Sequence, residues 1–148
     1  MSDTAEYNAE ALLIALIALQ LPTLNTAGGI VHFDISTQTS AATIDRITVK
    51  AEEKTVLVAG LQEGYPKVWQ CTVTATVTLA TNSPSTLDDY MLAIGAAVSG
   101  SAPAAVVTQC QTLFPSGGGI FRDMEGGEHE GGDNERTRSR AYQFIFNA

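Results

Sequence analysis

The residues with the most evident capacity for chemistry lie in one acidic segment near the C-terminus. His129 stands between Glu128 and Glu130, and residues 123–135 hold six carboxylates, four glycines and no lysine or arginine. Carboxylate oxygens bind hard cations such as Ca²⁺, but the spacing does not match the ligand positions of an EF-hand. We therefore predict a solvated loop without a metal, kept mobile by charge repulsion and glycine entropy. Its carboxylates are Asp123, Glu125, Glu128, Glu130, Asp133 and Glu135.

Sequence signatures of enzymes are missing elsewhere. The glycines 117–119 lead into Ile120 and Phe121 rather than into a lysine, so no phosphate-binding loop is predicted. The zinc-protease, Cys-x-x-Cys and nucleophile-elbow motifs do not occur. Cys71 and Cys110 are interpreted as reduced, partly buried thiols, with a mutual disulfide as the alternative. His32, among apolar strand residues, is predicted to be structural. We expect neither catalysis nor a cofactor.

Arginines flank the acidic segment on both sides. They are Arg122, Arg136, Arg138 and Arg140. One interpretation is local charge balance. The other is a positive collar that pairs with acidic groups on a neighbouring subunit.

Length and charge limit the class of protein. A chain of 148 residues is long enough for one domain, spanning 1–148, and too short for two ordinary ones. A net charge of −8 repels a phosphate backbone, so specific DNA binding is not expected. The apolar run Ala11–Leu19 follows acidic residues and is shorter than the roughly 20 residues of a membrane span. We expect a soluble protein made inside the cell, with no membrane partner.

The N-terminal pattern predicts a helix. Ser2 or Asp3 can cap it, Glu6 stands in capping-box spacing, and Pro22 ends it. Because this helix is apolar nearly all round from Ala11 to Leu19, we expect it to be sandwiched in the core or shared with another subunit.

The remaining strands and helices are predicted from the alternation and spacing of apolar residues and from the residues that end helices and strands. We predict strands at Ile30–Ile35, Ile44–Lys50, Thr55–Val58, Val68–Ala80, Ile120–Arg122 and Thr137–Phe146, with a loop at 36–43 and a turn at 62–66. A second helix begins near Ser83, and its apolar face holds Leu87, Met91, Ile94 and Val98. A third helix runs from Pro103 to about Leu113. This order predicts an α+β domain in which a mostly antiparallel sheet packs against an N-terminal helix and one or two central helices.

The strand Val68–Ala80 has two contrasting faces. Its apolar face holds Trp69, Cys71, Val73, Ala75, Val77 and Leu79, and its polar face holds Gln70, Thr72, Thr74, Thr76 and Thr78. A face of β-branched hydroxyls without charge suits contact with another sheet surface. We therefore predict a subunit-facing or lumen-facing wall at the threonines rather than an active site.

The chain begins with an N-terminal helix, and a tryptophan later opens the threonine strand. The next helix begins Ser85-Thr86-Leu87-Asp88-Asp89-Tyr90-Met91. It is followed by an aromatic-arginine entry into the acidic segment and by the aromatic last strand Tyr142-Gln143-Phe144-Ile145-Phe146. This order resembles the tail terminator, or tail completion, family of tailed bacteriophages, over most of the chain. The long acidic insertion and the unusually apolar first helix depart from the family pattern.

The resemblance implies a structural virion protein, assembled in the bacterial cytoplasm, that forms a ring of typically six subunits. Such a ring caps the head-proximal end of the tail tube, ends tube polymerisation and docks the head connector, while DNA passes through its lumen unbound. We expect the acidic segment to face that lumen. The alternatives are another phage neck, head-completion or tail-tube protein and, more remotely, a small-ligand binding module whose pocket is lined by the threonine face.

Overall fold

The described chain forms one sheet with helices packed on one side. The computed structural model describes residues 4–33, 44–58, 68–81, 83–100, 102–115, 117–130 and 136–147. Its helices are α1 (Thr4–Gln20), α2 (Pro22–Thr26), α3 (Pro84–Ser99) and α4 (Ala104–Leu113), and its strands are β1 (Ile30–His32), β2 (Arg46–Val58), β3 (Val68–Thr78), β4 (Gly119–Glu130) and β5 (Thr137–Asn147). The predicted α+β class is confirmed. The predicted loop at 36–43, the turn at 62–66 and the end of the acidic segment at 131–135 lie outside the described residues.

The strand order is β1-β2-β3-β5-β4. β1 runs parallel to β2, and every other neighbouring pair is antiparallel. The two longest pairings join β3 to β2 on one side and to β5 on the other, so the threonine strand is the centre of the sheet.

The core lies between the described helices and one face of the sheet. Val73 pairs with Ala51 on one side and with Tyr142 on the other, and all three are buried. The alternation predicted for β3 is confirmed, because the residues at its apolar positions from Cys71 to Val77 are buried and the threonines between them are half-buried. Each large aliphatic or aromatic side chain removed from water in this layer contributes about 1.5–3 kcal/mol.

Helix α1 is a core element of the described chain. Its buried apolar residues are Ala9, Leu12, Leu13, Leu16 and Ile17. The helix contacts β1, β2 and β3 below it and α3 and α4 beside it, which explains why no single side of it is polar.

The two later helices agree with their sequence patterns. α3 buries Leu87, Met91 and Ile94 as predicted, together with Ala97. Ser83 is the N-cap residue of α3, and its hydroxyl pairs with the Thr86 hydroxyl at 2.8 Å. α4 spans ten residues after Pro103.

Two of the predicted short strands are one long strand. β2 continues through residues 51–54, and its register with β3 shifts between Glu52 and Thr55. Glu53 has a φ of 61°, the left-handed conformation that accommodates an extra residue in a bulge. The polar residues that suggested a break therefore mark a bulge within the strand.

The prediction of an acidic loop beginning at Asp123 was wrong for its first part. β4 continues to Glu130, with a register shift between Asp123 and Glu128. Glu128 stands opposite Arg140 and Glu130 opposite Arg138 in the pairing with β5. Backbone pairing with β5 therefore extends the strand beyond Asp123.

Candidate functional site

The sheet face opposite the described helices runs across β2, β3, β5 and β4. On β3 it consists of Gln70 and the threonines Thr72, Thr74, Thr76 and Thr78, and on β5 of Thr137, Ser139, Ala141, Gln143 and Ile145. We call this set, with its neighbours on β2 and β4, the open face. Its two central strands carry no ionisable side chain on this side.

Charged residues lie only toward the sides of the open face. Arg46, Lys50 and Glu52 occupy the β2 side, where Lys50 pairs with Glu52 at 3.6 Å. Arg122 is exposed on the β4 side, opposite Gln143. A hydrogen bond joins Gln143 to Gln70 across the centre of the face. The centre of the face is therefore polar, uncharged and half-buried.

The arginines of the predicted collar contact different partners within the described chain. Arg138 is only 8% exposed and donates to Asp88 Oδ1 at 2.6 Å. Arg136 donates to the carbonyl oxygens of Leu79 and Ala80 at 2.7–3.2 Å. For these two residues the structure shows local partners. Their assignment to a subunit interface stays a prediction, and a buried Arg138 makes it a poor probe of assembly.

Arg140 is held between a strand and a helix. Its guanidinium donates to Asp123 Oδ1 at 2.9 Å and lies 5.4 Å from the centre of the Tyr142 ring. A Cβ atom added at Gly95 of α3 would lie 3.1 Å from Arg140 Nη1, so the absence of a side chain at Gly95 leaves room for the guanidinium. Arg140 therefore balances Asp123, one of the carboxylates predicted to face a lumen.

The acidic segment offers no metal centre in its described part. Among the described residues, no group of three or more histidine, cysteine or acidic side chains is placed to hold a metal ion. Asp133 and Glu135 lie outside the described residues.

A buried carboxylate that the sequence reasoning did not single out fastens α1 to the sheet. Glu10 is 2% exposed, and its oxygens accept the backbone N–H of Ala51 at 2.7 Å and pair with His32 Nδ1 at 2.9 Å. The His32 ring stacks on Tyr7, with ring centres 4.1 Å apart. His32 is structural in this arrangement, as predicted. The signal in the sequence was an acidic residue directly before the apolar run Ala11–Leu19, since a carboxylate that is buried with such a run must find donors.

A second polar contact joins the start of β2 to α3. Asp45 accepts the Tyr90 hydroxyl at 2.8 Å and the backbone N–H of Ala80 at 3.0 Å. Burial of the phenol, then its hydrogen bond and charge interaction with Asp45, raise the pKa of Tyr90 to about 12.

A groove of about 620 Å³ opens beside the beginning of β4. Leu16, Val106 and Phe121 are among its lining residues, which come from α1, the end of α3, α4, β4 and β5 and carry no charge. None of the open-face threonines lines it. This groove is therefore not the threonine-lined pocket that the small-ligand alternative predicts.

Neither of the two cysteines takes part in a disulfide. Cys71 is buried in the core, and Cys110 is half-buried at the groove. The redox state of the two thiols stays a prediction.

Comparisons with known proteins add no relative. No protein-family model matches the chain, and no curated protein matches it either.

No single described helix is long and apolar enough to cross a membrane, and α3 with α4 meets that criterion only as a pair bent by 71°.

Proposed function

We propose that the protein is a structural subunit that assembles into a ring at the head-proximal end of a phage tail tube, as the order of its sequence features suggests. The ring, most simply a hexamer, would end tube polymerisation and join the tail to the head connector. The observation that carries the proposal is the open face, a polar surface that is uncharged along its two central strands and lies opposite the described helices.

The size of the open face suits a stable contact. β3 and β5 are each 11 residues long. At about 3.3 Å per residue and about 4.8 Å between strands, four neighbouring strands present roughly 700 Å². A standard protein interface buries about 800 Å² on each partner, so one such face is enough for a specific contact.

Closed rings need two different complementary surfaces on each subunit. The open face is one of them in this proposal, and the exposed Arg122 at its margin can pair with an acidic group of the neighbour. Threonine hydroxyl and methyl groups let the sheet pack against a polar surface without burying an unpaired charge.

The acidic segment is assigned to the lumen or its rim. A net charge of −8 per subunit makes the ring as a whole repel DNA. Acidic groups around a channel would leave a phosphate backbone free to slide, because they offer it no site to bind. If an assembled ring carried residues 123–135 on its outer circumference, this assignment would be wrong.

The proposal is tested by electron microscopy and native mass spectrometry of the purified protein, alone and with preassembled tail tubes. A terminator forms single closed rings and caps tube ends. A tail-tube subunit, the nearest alternative, instead forms long open-ended stacks, and a neck protein binds the connector without capping tubes. A protein that stays monomeric at high concentration and leaves tubes uncapped would refute the proposed function.

A further inference from the structure

The proposed ring needs a second surface on each subunit that is complementary to the open face. On the open face, Arg122 is exposed and no described side chain pairs with it, whereas Lys50 and Glu52 pair with each other. The second surface must therefore offer a carboxylate to Arg122. It must also lie on the other side of the subunit, because a ring repeats one head-to-tail contact.

An apolar corner lies beside Arg122 on the open face. Ile120 precedes Arg122 by two residues on β4, so the two side chains share one face of the sheet. Ile120 pairs directly with Ile145 of β5, and it is 65% exposed. The complementary surface therefore needs an exposed apolar side chain next to its carboxylate.

Helix α3 offers both groups on its exposed side. Its exposed residues from Ser85 to Ser99 recur at helical spacing, and we call them the outer stripe: Ser85, Asp88, Asp89, Leu92, Ala96 and Ser99. Leu92 is 73% exposed and lies about one helical turn from Asp89. Arg138 pairs with Asp88, but no described side chain pairs with Asp89. The outer stripe therefore holds an available carboxylate beside an exposed leucine.

The other described helices lack this combination. α2 and α4 contain no acidic residue. On α1, Glu10 is buried and Glu6 accepts the Lys54 N–H, while the exposed Leu19 lies at the far end of the helix. Among the described helices, only α3 can present both groups to the open face of a second copy.

The outer stripe fits the open face in length and position. α3 has 16 residues and is about 24 Å long, whereas the 11-residue strands β3 and β5 extend about 36 Å. The buried residues of α3 pack toward β3 and β5, so the stripe faces away from the open face of its own subunit. The two surfaces therefore lie on opposite sides of the subunit, as a head-to-tail contact requires.

The spacing of the groups also agrees. Asp89 and Leu92 are about 4.5 Å apart along the helix axis. Ile120 and Arg122 are about 6.6 Å apart along the strand, and the long arginine side chain spans the difference. When Leu92 covers Ile120 and α3 runs antiparallel to β4 of the neighbouring subunit, Asp89 faces Arg122.

We propose that the outer stripe of α3 receives the open face of the next subunit, with Leu92 against Ile120 and Asp89 paired with Arg122. The inference rests on the head-to-tail assembly of the proposed function and names its second surface. Two open faces packed on each other are the alternative contact, and they would leave the outer stripe exposed.

The first test exchanges the two charges. Arg122→Glu and Asp89→Arg should each raise the concentration for half-maximal assembly at least about tenfold in sedimentation velocity, because each brings like charges together. The double variant restores an opposite pair in every contact and should assemble within about threefold of the parent protein. Its recovery would also show that both substitutions are compatible with the fold. A double variant that assembles no better than the weaker single variant would overturn the proposed contact.

The second test compares two exposed leucines. Leu92→Asp should raise the same midpoint concentration at least about tenfold, because it buries an unpaired charge against Ile120. Leu19→Asp is the matched control, since Leu19 is 55% exposed on α1, outside the outer stripe, and should leave the midpoint unchanged. Unimpaired assembly of Leu92→Asp, which two open faces packed on each other would give, or equal impairment by the two variants, would overturn the proposal.

The closing experiment mixes two disabled variants. Ile120→Asp with Arg122→Glu disables the open face, and Leu92→Asp disables the outer stripe, so each pure variant should stay monomeric. An equal mixture should give a heterodimer in native mass spectrometry and nothing larger, because one pair of intact surfaces remains.

The mixture also separates this contact from the proposed function. The absence of a heterodimer would overturn the contact, and closed rings of the parent protein would then still support the proposed function. A heterodimer, combined with a parent protein that forms open-ended stacks, would support the contact and overturn the proposed function.

Discussion

Removal of the Glu10 carboxylate is the sharpest test of how this fold is held together. Glu10→Ala leaves the Ala51 N–H without its acceptor at 2.7 Å, in a residue that is only 3% exposed. The same substitution separates His32 from its partner, but the His32 side chain is 31% exposed and can turn to water.

The cost is worked from these two contacts. A buried donor left without an acceptor costs about 1–3 kcal/mol, and a hydrogen bond to a charged group contributes about 1.5–3 kcal/mol. Because the two estimates overlap for Ala51 and the His32 contact adds little, we expect Glu10→Ala to lower the free energy of unfolding by about 3 kcal/mol. At about 2–4 °C per kcal/mol for a domain of this size, the melting temperature should fall by about 6–12 °C.

Glu6 provides a matched control on the same helix. It accepts the Lys54 N–H at 3.3 Å in a partly exposed position, so water can replace it. Glu6→Ala should cost less than about 1 kcal/mol. Urea unfolding can be followed through Trp69, the single tryptophan, which lies in the central strand. Equal losses for the two variants, or a Glu10→Ala loss below about 1 kcal/mol, would refute the reasoning from burial.

The pKa of Tyr90, raised to about 12, predicts that the phenolate absorbance that Tyr90→Phe lacks in an ultraviolet titration develops in the parent protein near pH 12 rather than near pH 10. The stabilising effect of the neutral phenol is full below pH 10 and is lost as the pH rises through about 12. Asp45→Asn should lower the Tyr90 pKa only part of the way to 10.0, since burial is the largest cause, and a full return would contradict that order. Arg138→Glu should lower the free energy of unfolding in urea by about 3 kcal/mol or more, because the reversed charge faces its acidic partner at a buried site. Arg138→Lys keeps the positive charge and should cost less. Thr74→Lys with Thr76→Lys should abolish rings in native mass spectrometry while melting within a few degrees of the parent protein, and intact rings would remove the open face from the proposed interface.

The expectation for Arg138 changes what the sequence alone had suggested. Arg138 and Arg140 share the strand parity of Tyr142, and one interpretation of the sequence was that they pair with acidic groups on a neighbouring subunit. In the structure, that parity points under α3, where Asp88 binds Arg138. Strand parity identifies which residues share a face, but the packing of a distant helix decides which face is covered.

The local patterns in the sequence determined most of the elements. Alternation over Val68–Thr78 specified a half-buried strand, the spacing of Leu87, Met91 and Ile94 specified an amphipathic helix, and prolines or glycines marked the ends of helices. These features depend on neighbours within a few residues, which is why they can be predicted from the sequence.

Only the tertiary structure decided the long-range features. The bulge at Glu53 joined two predicted strands, and the pairing of β4 with β5 extended a strand through half of the predicted acidic loop. Glu10 and Ala51 are 41 residues apart along the chain, and β4 neighbours β5 while β5 neighbours β3, an order that local propensity does not encode. The sequence by itself determined a threonine face without charge. The chain fold decided that all the described helices pack on the other side of the sheet, because the apolar residues of the strands form the core there.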